Sequence, residues 1–165
     1  MSQFVVEPLR TEHERVSFRC GDAELDTYLQ RYARQNAEAG ISRTFVAVAP
    51  PSLRVAGYYS LAASSVEFAT IPDPLRKRLP RYPIPALLLG RLATDLTVRG
   101  LGLGSALLID AGQRALRLSR EAGIRFLEVE ARDAGVRGFY ERFGAVRLLD
   151  APEHLVFDLR LFRAR

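Results

Sequence analysis

Cysteine is almost missing from this chain: Cys20 is the only one in 165 residues. An intramolecular disulfide is therefore impossible, and no cage of thiolates can hold a metal. Long apolar runs are missing too. The stretch IPALLLG, residues 84–90, falls far short of the roughly 20 apolar residues that a membrane-crossing helix needs. The opening MSQFVVEPLR carries neither a cationic leader nor a long apolar run. These absences lead us to expect a soluble, non-secreted protein of the cytoplasm with no membrane partner. Lysine is the third scarcity: of the 24 basic residues only Lys77 is a lysine, and the rest are arginine. The formal net charge is +5. Arginine forks onto phosphate in a planar, bidentate way, so this balance permits a polyanionic partner without requiring one. His13 and His154 stand in no spacing typical of a triad or a metal site, so neither is given a role and no metal is expected.

What the chain does have is apolar content, 48% of its residues, enough to bury a core around a sheet with helices in a single domain spanning residues 1–165. FVVEPL (4–9) reads as a strand, and TEHE (11–14) has the spacing of a capping box opening a helical turn. A helix follows from Asp22 as N-cap towards Gly40, with one apolar stripe at Leu25, Tyr28, Leu29, Tyr32 and Ala33. Residues 43–49 and 54–68 read as a β-hairpin. Residues 71–85 hold five prolines and the cluster Arg76, Lys77, Arg78 and Arg81, which reads as a basic, mobile loop. A long apolar strand over 86–98 leads into three glycines, and a helix runs from Ser105 to about Glu121. Then come a strand (125–131), a short helix (135–143), a strand (145–149) and a last alternating strand (153–162). This order predicts a mixed α/β domain.

The glycines pose the functional question. VRGLGLGSALL, residues 98–108, lies between a strand and a helix, where bare backbone N–H groups gather at the positive end of the helix dipole. Phosphate is the natural guest there. A Walker-type loop is excluded, since it requires a GK[ST] tripeptide that the chain lacks. A dinucleotide fingerprint over Gly100, Gly102 and Ser105, with Glu128 and Glu130 on the next strand, fits less well. That fold begins with this unit, whereas here some 95 residues precede it. A plain tight turn leaves three glycines unexplained.

Arg99-Gly100-Leu101-Gly102-Leu103-Gly104 matches R/Q-x-x-G-x-G/A, and with GFYERFGA (138–145) downstream the chain resembles the Gcn5-related N-acetyltransferase (GNAT) superfamily over nearly its whole length. The resemblance implies a central mixed sheet of six to seven strands with about four helices, its two central parallel strands splayed apart. It also implies acetyl-CoA as co-substrate. Backbone amides from Val98 to Ser105 (Val98, Arg99, Gly100, Leu101, Gly102, Leu103, Gly104 and Ser105) would bind its pyrophosphate. The strand end at Leu96, Thr97 and Val98 would pair with the pantetheine arm, with a strand N–H near Leu96 polarising the thioester carbonyl. Tyr140 takes the place of the superfamily's general acid, and Phe139 packs against the coenzyme. Glu128 and Glu130 share a strand face and stand either as a base acting through water or as carboxylates paired with arginine.

FRCGDAELDTYL, RTFVAV, VAGYYSLA, YPIPALLLGRLATD, RGLGLGSALL and GFYERFGA together look like the GNAT toxins of bacterial toxin-antitoxin pairs. That subgroup acetylates the α-amine of aminoacyl-tRNA and is neutralised by a ribbon-helix-helix antitoxin; a homodimer is expected by analogy. Arg76, Lys77, Arg78, Arg81 and Arg91 are then the candidates for tRNA phosphate contacts. Arg137, where a small residue is usual, and Ala145, in place of a usual Phe, depart from the pattern. They leave the acceptor open, a small amine or a protein N-terminus being the alternative, and do not touch cofactor binding; a non-catalytic module that binds acetyl-CoA or tRNA stands as a separate rival, which a Tyr140 hydroxyl turned away from the coenzyme would favour.

Overall fold

A computed structural model describes residues 3–163. Seven strands pair in the order β1-β2-β3-β4-β5-β7-β6. They are β1 (Val5–Pro8), β2 (Arg43–Val48), β3 (Gly57–Val66), β4 (Ile84–Thr94), β5 (Phe126–Glu130), β6 (Val146–Arg147) and β7 (His154–Asp158). The pairs β1–β2, β2–β3, β5–β7 and β6–β7 are antiparallel and β4–β5 is parallel, so the sheet is mixed as expected. Four helical stretches accompany it. The first is continuous through α1 (Ala23–Thr27), a π-helical turn (Tyr28–Tyr32) and α2 (Ala33–Glu38); the others are α3 (Asp73–Arg76), α4 (Leu103–Leu118) and α5 (Ala134–Arg142). Among the described residues no helix is long and apolar enough to cross a membrane. The chain packs as two units, one of residues up to Ala62 with Gly90–Ala111, the other of Ala63–Leu89 with the residues from Gly112 onward.

In the first unit the predicted N-cap is in place. Asp22 is extended, and its carboxylate accepts from the N–H groups of Glu24 (2.9 Å) and Leu25 (3.4 Å), satisfying donors that have no partner inside the helix. Tyr28, Leu29 and Ala33 then bury against Phe18, Val46, Val48, Val55, Tyr58 and Ala93. Tyr32, expected on the same stripe, is instead 47% exposed. The π-helical turn is the reason: the Ala33 N–H bonds the Tyr28 carbonyl five residues back, and the extra residue turns Tyr32 outward. The capping box expected at TEHE does not form. The Glu14 carboxylate accepts from the Ser17 N–H (3.0 Å) and hydroxyl (2.5 Å), and its backbone bonds Leu53 and Val55. Local spacing lost here to longer-range backbone pairing.

The second unit buries Val66, Ile71, Ile84, Ala86, Phe126, Leu148 and Val156 together, and Leu75 and Leu79 pack against them. The prolines of 71–85 therefore do not make a free flap. Pro72 precedes α3 and Pro74 lies in its first turn, where a missing N–H costs nothing, and the two leucines hold the segment to the core. The strand expected over 153–162 stops at Asp158. That carboxylate accepts from the Arg160 N–H (3.0 Å) and turns the chain into a 3-10 turn, Leu159–Phe162. The Phe162 ring then occupies the space beside Gly112, where no Cβ would fit. The parallel register of β4 with β5 runs from Ala86↔Phe126 to Leu89↔Val129 and stops, although β4 continues to Thr94. Paired register between these two parallel strands thus ends at Leu89↔Val129.

Candidate functional site

The glycine loop belongs to the first unit. β4 ends at Thr94, four residues short of the strand predicted to Val98, because the Asp95 carboxylate accepts from the Thr97 N–H (3.1 Å) and hydroxyl (2.6 Å) and bends Leu96–Val98 into a 3-10 turn. The Leu96 N–H donates to the Arg19 carbonyl (2.8 Å), so it is not the free strand donor expected to polarise a thioester. Thr97 and Val98 direct their N–H groups to Asp95, and Arg99 and Leu101 to Leu96 and Val98. Beyond them the donors open. Among the described residues the N–H groups of Gly100, Gly102, Leu103, Gly104 and Ser105 reach no protein acceptor. The last three belong to the first turn of the 16-residue helix α4, where no intrahelical acceptor exists. Gly100 (φ +83°) and Gly102 (φ +77°) are left-handed, a conformation costing an L-residue roughly 1–2 kcal/mol. Gly104 has no such φ, and a Cβ there would meet nothing within 4 Å. The backbone thus demands glycine at positions 100 and 102, whereas Gly104 is held to no left-handed turn. An anion fits this array by both hydrogen bonding and helix dipole.

The second unit carries Tyr140 on α5. Its ring is 5% exposed and meets Phe157 edge-on, with centroids 6.0 Å apart at 86°. Among the described residues its hydroxyl has no hydrogen-bond partner, and burial pushes its pKa up to about 12, against a smaller opposing pull from Arg132. The phenol is therefore fully protonated near neutrality and has a proton to give. Phe139 is half-buried, with its ring 5.5 Å from Tyr140 and 5.4 Å from Phe143. Asp133 caps α5 by accepting from the Val136 N–H (2.8 Å). The two departures from the superfamily pattern find local uses. Arg137 donates to Glu153 (2.8 Å), and buried Ala145 directs its N–H to the Tyr140 carbonyl (3.1 Å) at the helix end.

Glu128 is buried, and among the described residues its partner is a histidine rather than an arginine. It is 7% exposed, and its Oε2 lies 2.5 Å from His154 Nε2, while Nδ1 of the same ring is 2.9 Å from Asp150. His154, which the spacing left without a role, thus bridges two carboxylates. It lies diagonally across the β5–β7 ladder from Glu128, a relation that no linear spacing displays. Burial alone would lower its pKa, but the hydrogen bonds to Asp150 and Glu128 outweigh this and raise it. A raised folded-state pKa means the stabilisation is complete below the unfolded value of 6.5 and is lost as the pH climbs through the folded one. His154→Gln is expected to cost on the order of 1 kcal/mol at pH 6 and distinctly less at pH 9. Thermal melts at the two pH values decide, and equal losses would contradict the pairing. Glu130 is exposed, and no group of His, Cys, Asp or Glu among the described residues can hold a metal.

The candidate phosphate contacts divide. Arg76 is already engaged, with Nε on the Ile71 carbonyl (2.5 Å), Nη1 3.6 Å from Asp73 and its guanidinium 5.3 Å from the Phe68 ring centre. The Arg91 guanidinium carbon stands over the Tyr28 ring, 3.6 Å from its centre, which explains a charge interrupting an apolar strand. Lys77, Arg78 and Arg81 are exposed and have no ion-pair partner among the described residues. Sequence reasoning also missed Asp95, 1% exposed; its one signal was a lone acid in the apolar run LATDLTV.

No family model matches the chain. Among curated relatives, a tRNA-acetylating toxin of Mycobacterium tuberculosis (strain ATCC 25618 / H37Rv) is 38% identical over 148 residues, 90% of this chain and 87% of that protein. Among solved structures, a tyrosine-to-phenylalanine mutant of KacT superposes with a TM-score of 0.92 at 28% identity, covering 98% of both chains. AtaT complexed with acetyl-methionyl-tRNAfMet gives 0.90 at 28% identity, covering 95% of both. A tyrosine-to-phenylalanine mutant of AtaT bound to acetyl-CoA and the C-terminus of the antitoxin AtaR gives 0.82 at 25% identity, covering 98% of this chain and 96% of that one. The mixed sheet, the glycine loop opening α4 and the tyrosine on α5 are the parts that the resemblance to acetyltransferases required. Joined to 38% identity over nine-tenths of the sequence, they place the chain in the GNAT-fold family of tRNA-acetylating toxins.

Proposed function

We propose that this protein is a cytoplasmic, acetyl-CoA-dependent N-acetyltransferase that acetylates the α-amine of aminoacyl-tRNA and so blocks translation, with an antitoxin as its physiological partner. The observation carrying this reading is the set of open backbone donors of Gly100, Gly102, Leu103, Gly104 and Ser105 at the start of α4. Residues 1–165 act as one acetyltransferase domain.

Gly100, Gly102, Leu103, Gly104 and Ser105 hold the pyrophosphate through their N–H groups, and exposed Leu101 and half-buried Phe139 offer apolar cover to the rest of the coenzyme. An α-amino group with a pKa near 7.7–8.0 is substantially neutral at cytoplasmic pH, so nucleophilic attack needs little help from a base. As the new C–N bond forms and the C–S bond breaks, the Tyr140 hydroxyl gives its proton to the departing sulfur. The proton shed by the nitrogen returns through solvent to the phenolate. Exposed Lys77, Arg78 and Arg81 serve as tRNA phosphate contacts, and Arg76 and Arg91 contribute through what their packing leaves accessible.

The test is to incubate the pure protein with labelled acetyl-CoA and total charged tRNA. Label on the aminoacyl group is the expected result. Label only on free small amines or on protein N-termini would overturn the choice of acceptor.

A further inference from the structure

The loop that meets the coenzyme has little core of its own: Leu96 is 45% exposed and Leu101 59%. Something else must fix two left-handed glycines in a single arrangement, and the strongest local device is Asp95. Asp95 is 1% exposed, and its carboxylate takes four donors. Oδ1 accepts from the Arg19 N–H (2.8 Å) and Arg54 Nη2 (3.3 Å), and Oδ2 accepts from the Thr97 N–H (3.1 Å) and hydroxyl (2.6 Å). A carboxylate offers about four lone-pair sites, so its capacity is filled. Burial pushes its pKa up, but the N–H and hydroxyl donors from Arg19 and Thr97 and the nearby Arg54 outweigh this and hold it below the usual carboxylate range.

The same clasp is closed from the other side. The Arg19 carbonyl accepts from the Leu96 N–H (2.8 Å), so both polar groups of the Arg19 main chain are spent on Asp95 and its neighbour. One residue further on, the Cys20 carbonyl accepts from Arg99 Nη2 (3.1 Å). Asp95 also donates its own N–H to the Ala56 carbonyl (2.8 Å) and accepts the Val98 N–H on its carbonyl (3.1 Å). Arg19 and Cys20 are therefore tied to both ends of the turn that leads into the open donors.

We propose that Asp95 is a positioning residue for coenzyme binding: by clasping the main chain at Arg19 and capping Leu96–Val98, it sets the direction in which the N–H groups of Gly100 to Ser105 point. This rests on the reading that those donors hold the pyrophosphate. Asp95 touches neither coenzyme nor acceptor in this account, so its loss weakens coenzyme binding and leaves the chemical step alone. Asn at this position keeps one acceptor oxygen but turns an NH2 group towards two of the four donors.

The experiment measures CoA affinity by calorimetry, steady-state kinetics and thermal melts for wild type, Asp95→Asn and Thr97→Val. Asp95→Asn is expected to raise both the Kd for CoA and the KM for acetyl-CoA about 10-fold, as loss of hydrogen bonds to a charged group predicts. At saturating acetyl-CoA, kcat stays within about twofold, and the KM for charged tRNA does not move. Thr97→Val, which removes only the hydroxyl bond, raises the same two constants by about threefold and carries the test if Asp95→Asn fails to fold. Unchanged CoA affinity in a folded variant, or a loss confined to kcat, overturns the proposal while sparing the coenzyme loop. A wild-type protein that binds no CoA overturns the loop reading and this proposal with it.

Discussion

Replacing Tyr140 by Phe is expected to lower kcat about 100-fold while acetyl-CoA affinity stays within about twofold. The ring does the packing: it lies edge-on to Phe157 and beside Phe139, and Phe fills the same volume. The hydroxyl does none, since it bonds no protein group among the described residues, so its removal leaves no orphaned partner behind and the fold persists. What disappears is a donor held protonated by a pKa of about 12. Single-turnover measurement at saturating acetyl-CoA separates chemistry from binding. An unchanged rate would remove Tyr140 from the reaction and leave it a core residue.

Gly102→Val is expected to weaken acetyl-CoA binding by between about 10- and 100-fold, whereas Gly104→Ala leaves binding nearly intact. Both positions face open space, so neither change collides with the protein. The difference is conformational. Gly102 stands at φ +77°, where a β-branched residue is strongly disfavoured, and the chain relieves that strain by moving the loop away from the geometry that aims its donors. Gly104 lies in the first turn of α4 and carries no positive φ, so Ala there is compatible and favours the helix by up to about 1 kcal/mol. Calorimetry with acetyl-CoA, paired with thermal melts, checks both. Equal affinities for the two variants would mean that loop conformation does not set binding.

Much of this was legible in the amino-acid sequence because it depended on local spacing. The Asp22 cap, the stripe through Leu25, Leu29 and Ala33, the order of strands and helices, and the glycine loop all follow from neighbours within a turn or a strand. The failures have a common cause in partners that lie far away along the chain. Tyr32 was misplaced because one extra residue in a helical turn leaves no mark on periodicity. The run to Val98 looked like strand because its residues are apolar, yet a single carboxylate at Asp95, satisfied in part by Arg19, 76 positions earlier, bends it. His154 and Glu128 stand 26 positions apart and meet only once β5 and β7 pair. Arg76 and Arg91 read as phosphate contacts or solvated charge, and their engagement within the fold was not visible because neither the Ile71 carbonyl nor the Tyr28 ring announces itself as a partner. Charge in a sequence is visible; its prior commitments are not.

In the proposed reaction, backbone donors at the start of α4 hold a pyrophosphate. A crystal structure of the wild-type protein with acetyl-CoA tests it most directly. The two phosphates are expected within hydrogen-bond distance of the N–H groups of Gly102, Leu103, Gly104 and Ser105. Phosphates bound at any other place on the protein, with those four donors left to solvent, would contradict it.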